Sequence, residues 1–98
     1  MSLDEPLTAP EAKRLILEIL GSDDGVVSFS SHAEDEMDQD GLTKVDAENI
    51  MRGGVCEEAE LVNGTWRHRV RTPRIVFVVA FRSEKHIRVV TAFRNKKR

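Results

Sequence analysis

The chain has 98 residues, 40% of them hydrophobic, which is enough for one small domain with a single core over residues 1–98. No apolar run approaches the roughly 20 residues that a transmembrane helix needs, and the N-terminus is acidic and polar, so we expect a cytoplasmic protein without a membrane partner. The single cysteine, Cys56, excludes an intramolecular disulfide and a metal site built from several thiolates.

The net charge of −2 conceals two halves of opposite sign. Residues 1–62 hold four Lys and Arg against 16 Asp and Glu, a net charge of −12. Residues 63–98 hold 11 against one, a net charge of +10, and end in a basic tail at residues 95–98. A basic segment of this kind is expected to meet phosphates. The competing interpretation is that the two halves neutralise each other within the fold.

The first predicted element is a helix that begins after Thr8 and ends at Gly21. Thr8 and Glu11 have the spacing of a capping box, in which each side chain bonds the backbone N–H of the other residue. We expect residues 1–7 to be disordered ahead of this helix. A short extended stretch, residues 26–30, follows it.

Two further helices are predicted in the acidic half. Ser31 is expected to cap the first, which ends at Gly41. Thr43 is expected to cap the second, whose pattern stops at Gly53 and Gly54. The acidic half is therefore mainly helical.

Metal and nucleotide motifs are missing from the sequence. The acidic run from Glu36 matches the early spacing of a calcium loop, but its twelfth position is Ala47 instead of the bidentate glutamate that closes such a site. The chain has no Gly-rich phosphate loop, no CxxC pair, no HExxH and no GxSxG. We therefore predict no metal and no cofactor.

Four β-strands are predicted in the basic half, where the hydrophobic period changes from helical to two. The Asn63-Gly64 pair is typical of a tight hairpin turn between the first two strands, and short polar connections join the others. The four runs are residues 55–61, 66–71, 74–82 and 87–94. The predicted fold class is α+β, with the N-terminal helices packed on one face of a four-stranded antiparallel sheet.

Strand alternation predicts the two faces of this sheet. The apolar face takes Ile75, Phe77, Val79 and Phe81 of the third strand and Ile87, Val89, Thr91 and Phe93 of the fourth. The charged face takes Arg74, Arg82, His86, Arg88 and Arg94, with the small apolar residues Val76, Val78, Ala80, Val90 and Ala92 between them. A further row, Arg67, Arg69 and Arg71, alternates with Trp66, His68 and Val70, and the sequence leaves open which way this row faces.

Arginine and histidine are the residues with which this sheet could act on RNA. A guanidinium group can donate two hydrogen bonds to a phosphate and stays charged at physiological pH. The chain has no tyrosine, so general acid-base chemistry would most easily use one of the three histidines, His32, His68 and His86. His32 directly follows the predicted helix cap, a position that would suit a base. Packing at a helix start is its competing interpretation.

A resemblance to a known family covers residues 29–94. It is carried by the segments FSSHAEDEMDQDGLTKVDAENIMRGG, WRHRVR and VVAFRSEKHIRVVTAFR, which are similar to the RelE-like toxin superfamily, nearest to its MqsR-like branch. The resemblance implies a single RelE-like domain, cleavage of mRNA without a metal, either free or on the ribosome, and a cognate antitoxin as partner. The positions that match the family motif are His32, the arginine-rich second strand, Arg82, Thr91 and Arg94.

The leading hypothesis is an endoribonuclease in which a ribose 2′-hydroxyl attacks the adjacent phosphate. One of His32 and His68 would take the 2′-hydroxyl proton, and the other would protonate the leaving oxygen. Arg82 and Arg94 would stabilise the developing charge. The expected RNA-binding residues are Arg67, Arg69, Arg71, Arg74, Arg88 and Thr91.

Two alternatives have a different mode of action. One is a non-catalytic module of the same fold that binds RNA or an acidic protein, and it needs no histidine. The other is a toxin that acts on DNA gyrase through protein contacts.

Overall fold

Three helices and six strands make up residues 3–94, the part of the chain that the computed structural model describes. The helices are α1 (Ala9–Leu20), α2 (Ser31–Gln39) and α3 (Lys44–Gly53). The strands are β1 (Val26–Phe29), β2 (Val55–Cys56), β3 (Glu60–Val62), β4 (Thr65–Arg71), β5 (Ile75–Ser83) and β6 (His86–Arg94). The fold is α+β, as predicted. No helix within residues 3–94 is long and apolar enough to cross a membrane. The predicted basic tail, residues 95–98, lies outside the described residues.

The sheet is mixed and has six strands, so the prediction of four strands is wrong in number. The predicted strands do pair antiparallel with one another, but β1 adds a parallel pairing at the edge of the sheet. The strand order is β1-β6-β5-β4-β2, and β3 also pairs with β4. The extended stretch after α1 forms β1, which joins β6 in parallel, and the predicted strand 55–61 is divided into β2 and β3. The hydrophobic alternation of a strand indicates which of its residues face the core, but it does not indicate which strand lies beside it. The sequence therefore could not predict a parallel partner about 60 positions away along the chain.

The local signals of the acidic half and of the hairpin are confirmed with one shift. Thr8 and Thr43 each close a capping box, with Glu11 and Asp46 respectively. The cap of α2 is Ser30 rather than Ser31, so that prediction was one residue late. The turn between β3 and β4 has φ values of 50° at position 63 and 78° at Gly64, as a tight hairpin turn requires.

Lys13 of α1 holds the C-terminal end of α3. Its Nζ donates to the carbonyl oxygens of Met51 (3.0 Å), Arg52 (2.6 Å) and Gly54 (2.7 Å). These bonds satisfy carbonyls that a helix end leaves without partners. A Cβ at Gly54 would lie 2.7 Å from Val70 Cγ1, so only glycine allows α3 to meet β4 this closely.

The three helices cover one side of the sheet, which we call the helix face. The hydrophobic core forms there, and Leu3 and Leu7, in the segment predicted to be disordered, pack against it. Cys56 is also part of this core, and burial raises the pKa of its thiol to about 11. The largest fully buried side chains of this core are Phe77, Ile16, Met51 and Ile87.

A β-bulge in β6 changes which residues face the core. Val78 pairs with Thr91 but Val79 pairs with Val89, so Val90 is an extra residue without a partner on β5. Ser30 donates its hydroxyl to the carbonyl oxygen of Val90 and accepts from the backbone N–H of Ala33. One serine side chain therefore caps α2 and fastens it to the bulge.

The bulge reverses the alternation of β6 beyond Val90. Ala92 pairs with Phe77 and is 1% exposed in the core, and Arg94 pairs with the buried Ile75. The remaining residues, Thr91 and Phe93, lie on the other side of the sheet. The predicted faces are therefore wrong for Thr91, Ala92, Phe93 and Arg94, because a strict period of two takes no account of an inserted residue.

We predict that Ser30→Ala destabilises the protein by about 1–3 kcal/mol, because it removes a helix cap and leaves the Val90 carbonyl without its partner. Urea unfolding followed by circular dichroism measures this free energy. Ser31→Ala is the matched control and should change it little, since Ser31 is exposed at the first residue of α2. Equal costs for the two variants would contradict the assignment of the cap.

Candidate nucleic-acid interface

The side of the sheet opposite the helix face is lined by arginines, and we call it the arginine face. Strand pairing defines it, because directly paired residues point to the same side of a sheet. Its members on the three central strands are Arg67, Arg69 and Arg71 of β4, Val76, Val78 and Ala80 of β5, and Arg88, Thr91 and Phe93 of β6. None of these nine belongs to the core cluster that the helices cover.

The arginine face is organised in rows that cross the strands. One row runs from Arg71 through Val76 to Phe93, and the next runs from Arg69 through Val78 to Thr91. The third row contains Arg67, Ala80, Arg88 and Ser28 of β1, with Arg67 one register position beyond the His68–Val79 pair. Successive arginines of β4 are about 7 Å apart along the strand, since each residue of a strand advances about 3.4 Å.

A narrow apolar strip lies between the arginines. Val76 and Ala80 are only 5% and 4% exposed, although the helices lie on the opposite side. The aliphatic stems of flanking arginines can cover such small residues while their charged ends stay in water. Phe93 ends the strip and is 38% exposed. The face thus combines fixed positive charge with an accessible aromatic ring.

Two arginines of the face form ion pairs at its β2–β3 edge. Arg69 Nε lies 3.3 Å from Glu60 Oε1, and Arg71 Nη2 lies 2.6 Å from Glu57 Oε2. Both arginine side chains are about half exposed. Exposed pairs of this kind are weak. Both guanidinium groups therefore remain available to an incoming anion.

The other two arginines have no carboxylate within ion-pair distance among residues 3–94. Arg67 Nε is buried and has no hydrogen-bond partner in this part of the chain. Arg88 is half-buried and donates to Ser28 Oγ at 3.4 Å. A buried donor without an acceptor is costly.

His68, one of the two predicted acid-base residues, lies in the core on the helix face. It is 0% exposed, its Nδ1 is 2.9 Å from the carbonyl oxygen of Glu57, and its ring meets Phe81 edge-on at 5.9 Å. Its alternation with the arginines of β4 turns it away from them. This burial removes the access to RNA that the predicted proton transfer requires.

The other predicted catalytic residues are also separated from one another. His32 is exposed at the second residue of α2, which packs on the helix face. Arg94 bonds Asp40 at the end of α2, with 2.7 Å between Nε and Oδ1. Arg82 is exposed at a second bulge, between the Phe81–Ile87 and Ser83–His86 pairs. The structure does not bring these residues together as one site.

The predicted RNA-binding residues stay close together. Arg67, Arg69, Arg71, Arg88 and Thr91 share the arginine face, and Arg74 is exposed in the turn between β4 and β5. The predicted site omitted three residues that the structure adds, Ser28, His86 and Phe93. His86 alternates in phase with Arg88, a signal present in the sequence. Phe93 was missed because the bulge reverses the alternation of β6. Ser28 was missed because the sequence does not show that β1 pairs in parallel with β6.

Comparisons with protein families, curated proteins and solved structures gave no match to this chain. Within residues 3–94, no group of three or more His, Cys, Asp or Glu is arranged to hold a metal ion. The chemistry of the arginine face must therefore be argued from its own geometry.

We predict that the Glu57→Gln/Glu60→Gln variant binds polyanions a few fold more tightly than the unmodified protein. The change frees Arg71 and Arg69 from exposed ion pairs, each of which contributes about 0.2–1 kcal/mol. The bond from His68 to residue 57 uses a backbone carbonyl and is kept. The salt concentration that elutes each protein from a heparin column measures the effect.

The control is Glu34→Gln/Glu48→Gln, which makes the same charge change on α2 and α3. It should shift elution less, because both residues lie on helices away from the arginine face. Equal shifts for the two double variants would mean that net charge, and not the arginine face, governs binding.

Proposed function

We propose that this protein binds single-stranded RNA through the arginine face. The observation that carries the proposal is that three arginines follow one another along β4, beside an apolar strip that ends at the exposed Phe93. Proteins that hold single strands combine a positive surface along the backbone with aromatic rings on which bases stack. The spacing of the β4 arginines is close to that of successive phosphates in an extended single strand.

We further propose that binding leads to metal-independent cleavage of mRNA, the activity of a toxin from a toxin–antitoxin pair. This step rests on the resemblance to RelE-like toxins. The second candidate is a binding module without catalysis, and it is favoured by the separation of His32, His68, Arg82 and Arg94. An acidic segment of a cognate antitoxin would compete with RNA for the same arginines.

Short induction in growing bacteria distinguishes these functions, because living cells supply ribosomes. We expect the unmodified protein to arrest growth and to create new transcript 5′ ends, and Arg67→Ala/Arg69→Ala to do neither. Growth arrest without new ends would indicate another target, such as gyrase. Neither effect, together with RNA binding in vitro, would leave the binding module as the function.

We predict that Arg69→Ala weakens binding to single-stranded RNA of any sequence and lowers the slope of log K against log salt by about 0.7, the contribution of one phosphate contact. Fluorescence anisotropy with a labelled oligonucleotide, titrated at several salt concentrations, measures both values. Arg14→Ala is the matched control, because Arg14 is exposed on α1. Equal losses in the two variants would contradict the proposed surface.

We predict that Phe93→Ala weakens RNA binding by about 1–3 kcal/mol, the usual contribution of one stacked base. The same anisotropy titration measures the loss. Heparin, which has no bases, provides the control polyanion, and its affinity should not change. A parallel loss of heparin affinity would show that the substitution disturbs the arginine face as a whole.

A further inference from the structure

Three polar side chains meet where β1 borders the arginine face. Ser28 Oγ lies 2.7 Å from His86 Nε2 and accepts a hydrogen bond from Arg88 at 3.4 Å. The parallel register pairs Ser28 with Arg88 and Val26 with His86, so all these side chains point to the arginine face. His86 is half-buried there. It is the histidine that the fold places beside the arginines.

The hydrogen bonds of this cluster allow His86 Nε2 to act as the acceptor of the Ser28 proton. Because Ser28 Oγ accepts from Arg88, its own proton can point to His86 Nε2. A neutral imidazole that accepts at Nε2 carries its proton on Nδ1. The Ser28 proton can therefore move to His86 Nε2, while Arg88 stays charged and donates a hydrogen bond to the Ser28 oxygen.

The same corner has a place for an anion. Arg67 and Arg88 lie on either side of the small Ala80, and Arg67 Nε is a buried donor without a partner among residues 3–94. Only one nitrogen of Arg88 is used by Ser28, so its other N–H groups can reach a phosphate oxygen. A phosphate on these N–H groups would lie next to Ser28, which the same guanidinium contacts, with Arg67 on the other side of Ala80.

We propose that Ser28, His86 and Arg88 form the catalytic centre of an RNA-cleaving enzyme, with His86 as the general base and Arg67 and Arg88 on the scissile phosphate. The proposal rests on the RNA binding proposed above. It assigns the chemistry to a different histidine from His32 and His68. General acid-base catalysis needs the base within hydrogen-bond reach of the proton or connected to it through one group, and Ser28 provides that connection.

The reaction is a transesterification within the RNA. The ribose 2′-hydroxyl gives its proton to Ser28 Oγ while the Ser28 proton passes to His86 Nε2. The 2′ oxygen forms a bond to phosphorus, and the bond from phosphorus to the 5′ oxygen of the next nucleotide breaks. That 5′ oxygen takes a proton from water, and the hydroxide left behind takes the proton from His86. The products end in a 2′,3′-cyclic phosphate and a 5′-hydroxyl.

A purely structural role is the competing explanation, in which the Ser28–His86 bond only holds β1 against β6. Backbone bonds already do this, since Val26 N–H donates to Lys85 O at 2.8 Å and Ser30 N–H donates to Val89 O at 3.0 Å. Glutamine at position 86 can keep a hydrogen bond to Ser28 but cannot act as a base near neutral pH. His86→Gln therefore separates the two roles.

The test compares the unmodified protein, His86→Gln and His32→Gln on a labelled single-stranded RNA in EDTA, and on the same RNA translated by purified ribosomes. His32→Gln is the matched control, because it changes an exposed histidine on the helix side. We expect His86→Gln to cleave on the order of 100-fold or more slowly, with RNA affinity and melting temperature unchanged. His32→Gln should cleave like the unmodified protein. RNA with 2′-deoxy nucleotides should be bound and left intact.

Three results would overturn the catalytic assignment. They are wild-type cleavage rates in His86→Gln, cleavage of the 2′-deoxy substrate, and RNA binding by the unmodified protein without cleavage in either reaction. The last of these leaves the proposed RNA binding in place. Absence of RNA binding would refute the proposed function itself, so the two failures are distinguishable.

Discussion

The position of one extra residue in β6 decides what the arginine face contains. Val90 interrupts the pairing of β6 with β5. Its carbonyl oxygen accepts a hydrogen bond from the Ser30 hydroxyl, which also caps α2. Without this bulge, Thr91 and Phe93 would point into the core and Ala92 would point out. The aromatic ring beside the arginines therefore depends on a serine at the start of a helix on the other side of the sheet. Core packing and the candidate interface therefore meet at Ser30, whose hydroxyl donates to Val90 O and whose backbone N–H donates to Val89 O.

The two charged halves of the chain lie mainly on opposite sides of the sheet. The acidic half supplies the helices, and the basic half supplies the strands whose arginines face away from them. Direct neutralisation is confined to a few exposed pairs, which are Arg69–Glu60, Arg71–Glu57, Lys85–Asp24 and Arg94–Asp40 within the described residues. Neutralisation within the fold therefore accounts for part of the charge asymmetry, and it does not extend to Arg67 and Arg88, which have no carboxylate partner among residues 3–94.

Local interactions explain which features were predictable from sequence. The capping boxes at Thr8 and Thr43 and the Asn63-Gly64 turn involve residues at most three positions apart, and the structure confirms them. The parallel pairing of β1 with β6 joins residues about 60 positions apart, and the Val90 bulge depends on a contact with Ser30. Neither leaves a local pattern. The arginine cluster was predictable because the excess of arginines in the strands can be counted without knowing how the strands pair. To choose among the three histidines, one must know which face of the sheet each of them occupies.

The most direct test of the arginine face is an NMR titration of the 15N-labelled protein with a short single-stranded RNA. We predict that amide chemical shifts change along β4, β5 and β6, centred on Arg69, Val78 and Thr91, while the amide chemical shifts of α1 and α3 do not change. Shifts concentrated on the helices, or no shifts at RNA concentrations that saturate binding of other single-strand proteins, would contradict the claim that this face holds RNA.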